Sequence, residues 1–309
     1  METIDFQGQT LRKWTIGHAT YLACPERGAR LMNWNVQMAD GSVRDVIHWP
    51  EDPDYTRFEK IRGGNPILFP FCGRSFDNGD LGRWKDPSGR RLPMPMHGIA
   101  RQGTFELVDA SASGFTAKLL IDTDEQFAPY PFHYDFLVTY HFEELALTVD
   151  LTLRNRDSQR LPWSAGHHFY FSLPWHDEAS RAGYRIDIPA KKAFRHAPDG
   201  SLEAVKKFTP ETRFDDPELG DRIHCRLKKN EVVFGPLNGE EDITLSINPG
   251  ADTPVGPWTS IVTWTENESS PFYCVEPWMS PPNSPANDTG VHYVEPGASE
   301  TFSVRVRLY

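Results

Sequence analysis

Two adjacent histidines, His167 and His168, stand inside an aromatic run, RLPWSAGHHFYFSLPW, from Arg160 to Trp175. Side chains in a strand alternate faces, so the two cannot both enter one cleft. One is a candidate acid or base, with a pKa shifted by burial among Phe169, Tyr170 and Phe171. The other is structural or exposed. The competing reading makes both part of a core strand, since histidine is only intermediate in how often it is buried.

A carboxylate of similar interest is Glu276 in PFYCVEPW, Pro271 to Trp278. Alternation places Phe272, Cys274 and Glu276 on one face, and a carboxylate aligned with core side chains is costly to bury unless paired or used. Pro277 and the PPNSP after it are expected to stop the strand just past Glu276, at a sheet end. His97 follows a stretch stiffened by Pro93 and Pro95 and precedes Gly98, which removes a side chain beside it; this is the setting of a ligand-contacting loop residue. Arg74 leaves the apolar PILFPF segment through Gly73 and is a candidate anion or hydroxyl ligand, a surface arginine after a turn being the alternative. Arg101 adds a further cation.

Glycine-rich phosphate loops, GxSxG elbows and HExxH are absent. A histidine–glutamate acid–base pair without cofactor is the simplest chemistry left. His97, His167 or His168, and Glu276 would equally suit a metal, and spacing does not separate the two readings.

The elements that must hold these groups read as strands. Residues Arg30 to Gln37 alternate with Met32, Trp34 and Val36 on one face, and Asp40-Gly41 turns the chain into Val43, Val46 and Ile47. Pro66 and Pro70 exclude PILFPF from a central strand, so it is expected at an edge or as a buried loop. Residues His133 to Phe142 and Leu145 to Leu153 alternate across a Glu143-Glu144 turn, a long hairpin with one buried face. Further strands are expected at Gly183 to Pro189, Val232 to Phe234, Ile243 to Ile247, Ile261 to Thr265, Pro271 to Trp278 and Thr301 to Leu308. The stretches 77–91 and 191–220 are polar and read as loops. No sustained 3.6-residue apolar period is found. One large antiparallel all-β unit over residues 1–309, a sandwich of extended sheets, is the architecture expected.

The chain has 309 residues and a formal net charge of −11, which disfavours a nucleic-acid partner. Its N-terminus lacks the basic and apolar regions of a secretory signal, and no apolar run reaches the ~18 residues of a membrane helix. Cys24, Cys72, Cys225 and Cys274 show no CxxC spacing and read as reduced, cytoplasmic thiols with no zinc site.

The ordered set NPILFPFCGR, MHGIAR, GHHFYF and VEPW resembles the aldose 1-epimerases (mutarotases) of the galactose-mutarotase-like superfamily, from about Gly63 to the C-terminus. The resemblance implies a β-supersandwich, a small-molecule sugar substrate and no cofactor; a monomer or homodimer is expected. It implies His168 as general acid, with His167 as its neighbour at the sugar, and Glu276 as base. It implies His97 and Arg74 as substrate-binding residues. The family's sugar-contacting aspartate has its nearest match in Asp221, with Asp215 and Asp216 as rivals. Arg62-Gly63-Gly64 and His97 to Arg101 also resemble the hexose-6-phosphate 1-epimerase branch, in which Arg62, Arg74 and Arg101 would grip a phosphate. Any of Trp163, Trp175, Trp258, Trp264 and Trp278 could present a flat face to a sugar, core packing being the competing role. The rival functions are a non-catalytic carbohydrate-binding sandwich and a cupin-like metal enzyme using His97, His168 and Glu276.

Overall fold

The computed structural model describes residues 1–176, 180–251 and 254–309. Alternating apolar residues make most of the elements. In Tyr134–Phe142, the side chains of Phe136, Val138, Tyr140 and Phe142 point one way. Opposite them in Ala146–Asn155 stand Leu153, Leu151, Val149 and Leu147, in antiparallel register. All eight are buried, and each such side chain contributes roughly 1.5–3 kcal/mol by leaving water. Ser299–Leu308 extends the pattern on the far side of Ala146–Asn155 with Phe302, Val304 and Val306.

These three strands are the centre of a sheet with nine strands among the described residues, which runs from Phe105–Ser111 at one edge to Glu211–Arg213 at the other. A second sheet has thirteen strands among the described residues. Its spine runs from Glu2–Phe6 through Arg30–Gln37 and Val43–Ile47 to Tyr170–Ser172, Phe272–Trp278 and Ser260–Trp264. It then continues through Arg222–Leu227 and Ala190–His196 to Leu202–Ala204. The buried faces of both sheets merge in one core, where Phe69 stacks on Phe136 at 3.9 Å and Tyr21 on Phe142 at 4.3 Å between ring centres. The all-β sandwich expected from the sequence is the observed architecture, and the α-helices Asp124–Phe127 and Ser284–Asn287 have four residues each.

Four local expectations are corrected. The strand carrying Glu276 does not stop there: it stays paired with Ser260–Trp264 through Pro277 to Trp278, so Glu276 lies two residues inside its end. Met32 does not share a face with Trp34 and Val36: a bulge after Leu22 leaves Met32 unmatched in the ladder and turns it into a separate cluster with Leu11 and Trp49. The polar stretch 77–91 forms two small hairpins with their neighbours, Phe76–Asp77 with Asp80–Leu81 and Arg83–Lys85 with Arg91–Pro93. The polar stretch 191–220 carries Ala190–His196, Leu202–Ala204 and Glu211–Arg213, strands near sheet edges whose side chains are largely exposed.

PILFPF behaves as expected. Its Ile67–Leu68 strand is two residues long, and Ile67, Leu68 and Phe69 are fully buried.

Candidate functional site

A cleft of ≈ 850 Å³ lies over the middle of the thirteen-stranded sheet, on the face turned away from the main core. Strand alternation builds its floor. Tyr273 and Val275 point into the core, whereas Phe272, Cys274 and Glu276 point to the other side. Across the ladder, Tyr170 opposes Cys274 and Val262 opposes Glu276. His168 sits between the short strands Gly166–His167 and Tyr170–Ser172.

His168 and Glu276 face each other, with Nε2 and Oε2 3.5 Å apart and side chains 11% and 2% exposed. Tyr170 stacks flat on the His168 ring at 4.8 Å, while Trp264 and His97 meet it edge-on at 5.8 and 5.3 Å. Burial pushes His168 down to about 3, and the Arg101 charge acts the same way. Burial holds Glu276 well above the usual carboxylate range; the Trp278 indole N–H opposes this and Asp221 reinforces it. Each group alone thus prefers its neutral form, and together they hold one proton.

Asn65 fixes the loop behind this pair. Its side-chain oxygen accepts from the His168 N–H at 3.3 Å, and its amide donates to Tyr140 Oη at 3.0 Å and to His167 Nδ1 at 3.1 Å. His167 is fully buried, stacked on Phe169 and Phe302, and does not line the cleft. It is expected beside a sugar, and the structure places it in the core instead of the cleft, because alternation sends it there when His168 faces the cleft.

His97 does line the cleft. Its Nδ1 accepts from the Gly73 N–H at 3.2 Å, which leaves Nε2 to carry the proton, and burial keeps the ring neutral by lowering its pKa well below 6.5. The backbone at His97 is left-handed (φ +66°), as is Gly98 (φ +77°). Gly98 is required for a reason other than an open flank for a ligand: a Cβ there would stand 1.9 Å from the Phe69 carbonyl oxygen.

The rim is cationic. Arg62 pairs with Glu266 at 2.9 Å and lies over the Trp264 ring at 5.0 Å. Arg74 is exposed, Arg101 is half-buried, and both line the cleft, as does Asp221. Asp215 pairs with Arg213 and Asp216 accepts from Thr212, and neither lines it. Trp264 and Trp278 are the tryptophans of the lining. Trp163 is in the core with its N–H on Glu300, Trp175 stacks under Arg44, and Trp258 packs by Phe194. The metal-capable trio among the described residues is His168, Cys274 and Glu276; His97 is not in it.

Sequence reasoning missed Arg57 and Lys60, on the 3₁₀ turn Tyr55–Lys60, and Arg195 and His196, on Ala190–His196. Their segments have no apolar alternation to mark them. Asn65 and Tyr170 lay in quoted motifs, where a polar residue entering an apolar segment and a tyrosine two residues after His168 were the available signals.

The family description "Aldose 1-epimerase" matches residues 12–307. The chain is 20% identical to chromosomal Protein LacX of Lactococcus lactis subsp. lactis over 236 residues, 74% of this chain and 76% of that protein. It superposes on a galactose mutarotase related enzyme from Lactobacillus acidophilus with a TM-score of 0.77 at 17% identity, covering 97% of each chain. A galactose mutarotase-like protein from Lactobacillus casei gives 0.75 at 22% identity, covering 97% of this chain and 100% of that one. With the family matched over nearly the whole length, the chain belongs to the aldose 1-epimerases.

Proposed function

We propose that this protein interconverts the α and β anomers of a hexose by acid–base opening of its ring. The observation that carries the reading is the buried His168–Glu276 contact at 3.5 Å, at the floor of a cleft walled by Trp264 and Trp278. Glu276 removes the proton from the anomeric hydroxyl while His168 protonates the ring oxygen. The C1–O5 bond breaks, the open aldehyde turns about C1–C2, and the ring recloses on the other face with the roles reversed. The reaction needs one proton held between two groups, which is what this pair carries. A hydroxyl donating to Glu276 and a ring oxygen accepting from His168 favour the charge-separated form at the moment of transfer. His97 offers its Nε2–H to a sugar hydroxyl, and no metal or nucleotide takes part.

A phosphorylated hexose is the second reading, and the cleft's charge favours it. Arg57, Lys60, Arg62, Arg74, Arg101 and Arg195 line it against the carboxylates Glu59, Glu276 and Asp221. Four buried free thiols suit a reducing compartment such as the cytoplasm.

The test is to follow fresh α-glucose, α-galactose and α-glucose 6-phosphate by polarimetry or proton NMR. Wild type accelerates one or more of them. Glu276→Gln, which keeps the shape and removes the base, loses about 10²–10⁴-fold. Binding without acceleration by wild type would support a carbohydrate-binding domain instead.

A further inference from the structure

We propose that the floor of the cleft is a latent site for a thiophilic divalent cation of the Zn²⁺ class, held by His168, Cys274 and Glu276, and that its occupation switches the acid–base pair off. One ligand atom from each residue lies within 4.8 Å of the other two. Cys274 and Glu276 are two residues apart on one strand face, and His168 comes at them from the adjacent segment. A tetrahedral zinc with bonds of ~2.0–2.3 Å needs its ligand atoms roughly 3.3–3.8 Å apart. The His168–Glu276 pair at 3.5 Å already meets that spacing. The separations that involve the sulfur, at most 4.8 Å, have to shorten by no more than about 1–1.5 Å to reach that spacing.

A further observation points to a ligand. Glu276 is 1% exposed, and among the described residues its Oε2, the atom facing His168, has no hydrogen-bond partner. Cys274 is fully buried beside it. The donor set is one imidazole nitrogen, one sulfur and one carboxylate oxygen, which suits zinc, cadmium or cobalt and not the oxygen-seeking magnesium or calcium. The fourth position opens on the cleft and takes water or a sugar hydroxyl.

The charge balances. Binding displaces the thiol proton of Cys274 and the proton shared by His168 and Glu276. A dication with one thiolate, one carboxylate and a neutral imidazole leaves the buried site with no net charge, the condition under which ions are tolerated away from water. With its proton displaced and both members ligated, the pair can neither donate nor accept. Binding rests on geometry alone; the inhibition rests on the proposed epimerase reaction.

The experiment titrates metal-free protein with Co²⁺ and, in parallel, with Zn²⁺ by calorimetry. The expected result is one metal per chain, a thiolate-to-cobalt charge-transfer band in the near ultraviolet, and no comparable binding of Mg²⁺. Cys274→Ser loses the band and at least ~10-fold in Zn²⁺ affinity, since even outer residues of metal sites are worth that much. Glu276→Gln, as a second variant, weakens binding likewise. Zn²⁺ inhibits wild-type anomer interconversion, and Cys274→Ser, active without metal, resists it. A band that persists in Cys274→Ser, and so arises from Cys24, Cys72 or Cys225, overturns the site. Absence of any band overturns it too, and faster interconversion with metal bound overturns the inhibition. If the protein opens no sugar at all, the band and the calorimetry still decide whether the site exists.

Discussion

His168 and Glu276 are each driven toward neutrality by burial, and this makes a prediction about pH. A free histidine would impose a break near 6.5 on the activity profile. Here the pair holds its single proton as a unit until His168 gains a second one, and burial pushes that event down to about 3. The acid limb of kcat/KM for the preferred sugar is therefore expected well below pH 6.5. Initial rates in overlapping buffers check this, and an inflection at 6–7 that disappears in His168→Gln would show a pair that titrates like exposed groups. His168 and Glu276 were both legible as chemical residues, because a polar group among aromatics in a strand costs free energy that only pairing or use repays. Which of His167 and His168 faces the cleft was not legible from alternation alone. Alternation fixes that the two diverge, while the choice is made by Asn65, whose amide claims His167 and whose oxygen claims the His168 backbone.

At the scale of elements, the cationic rim depends on one buried clip. Arg30 is 1% exposed and donates to the carbonyls of Phe58, Ile61 and Gly63, tying down the turn that carries Arg57, Lys60 and Arg62. Burial lowers its pKa only to about 10, so it stays protonated at neutral pH. Arg30→Met keeps the length and removes every donor. With buried acceptors costing about 1–3 kcal/mol each when unsatisfied, and some relaxing to water, a loss of ~3 kcal/mol in urea unfolding is expected. The KM for a phosphorylated hexose rises with it as the three cations shift, while kcat changes less because the turn does not hold His168 or Glu276. Nothing in the sequence marked this clip, since an arginine opening a strand normally reads as a surface charge. The same limit explains the missed strand Ala190–His196. Its lysines face water at the sheet's periphery, so it has almost no apolar period, and its place is set by pairing with Arg222–Leu227. Strands such as Tyr134–Phe142 and Ser299–Leu308 were legible because one whole face of each is in the core.

At the scale of the molecule, two charge effects follow. The first is acid sensitivity. His167 and His224 are buried, and burial pushes both down to about 3; among the described residues both ring nitrogens of His224 lack partners. Their folded pKa values lie below the unfolded 6.5, so between those limits the unfolded chain binds more protons. The stability these histidines contribute is complete above pH 6.5 and is lost as pH falls toward 3, at about 1.4 kcal/mol per pH unit for each. Replacing His224 by Phe removes one such proton uptake and should flatten the slope of unfolding free energy against pH by about that amount, read from urea curves between pH 4 and 6. An unchanged slope would mean that His224 reaches water in the folded state.

The second effect sets the cleft against the rest of the surface. The chain carries −11 overall, yet six cations line the cleft against three carboxylates. An approaching phosphate meets repulsion from the whole and attraction from the cleft, and the nearer charges dominate once it comes within a Debye length, about 10 Å at 0.1 M salt. Added salt screens the exposed rim cations, Arg74 among them, more than it screens the buried pair. The kcat/KM for glucose 6-phosphate should therefore fall as ionic strength rises, while that for glucose stays level. In Arg74→Ala the phosphorylated sugar should lose part of this salt dependence, its KM rising with kcat retained. Equal salt responses for the two sugars would leave the rim cations no role in recognition and would favour a neutral hexose as the substrate.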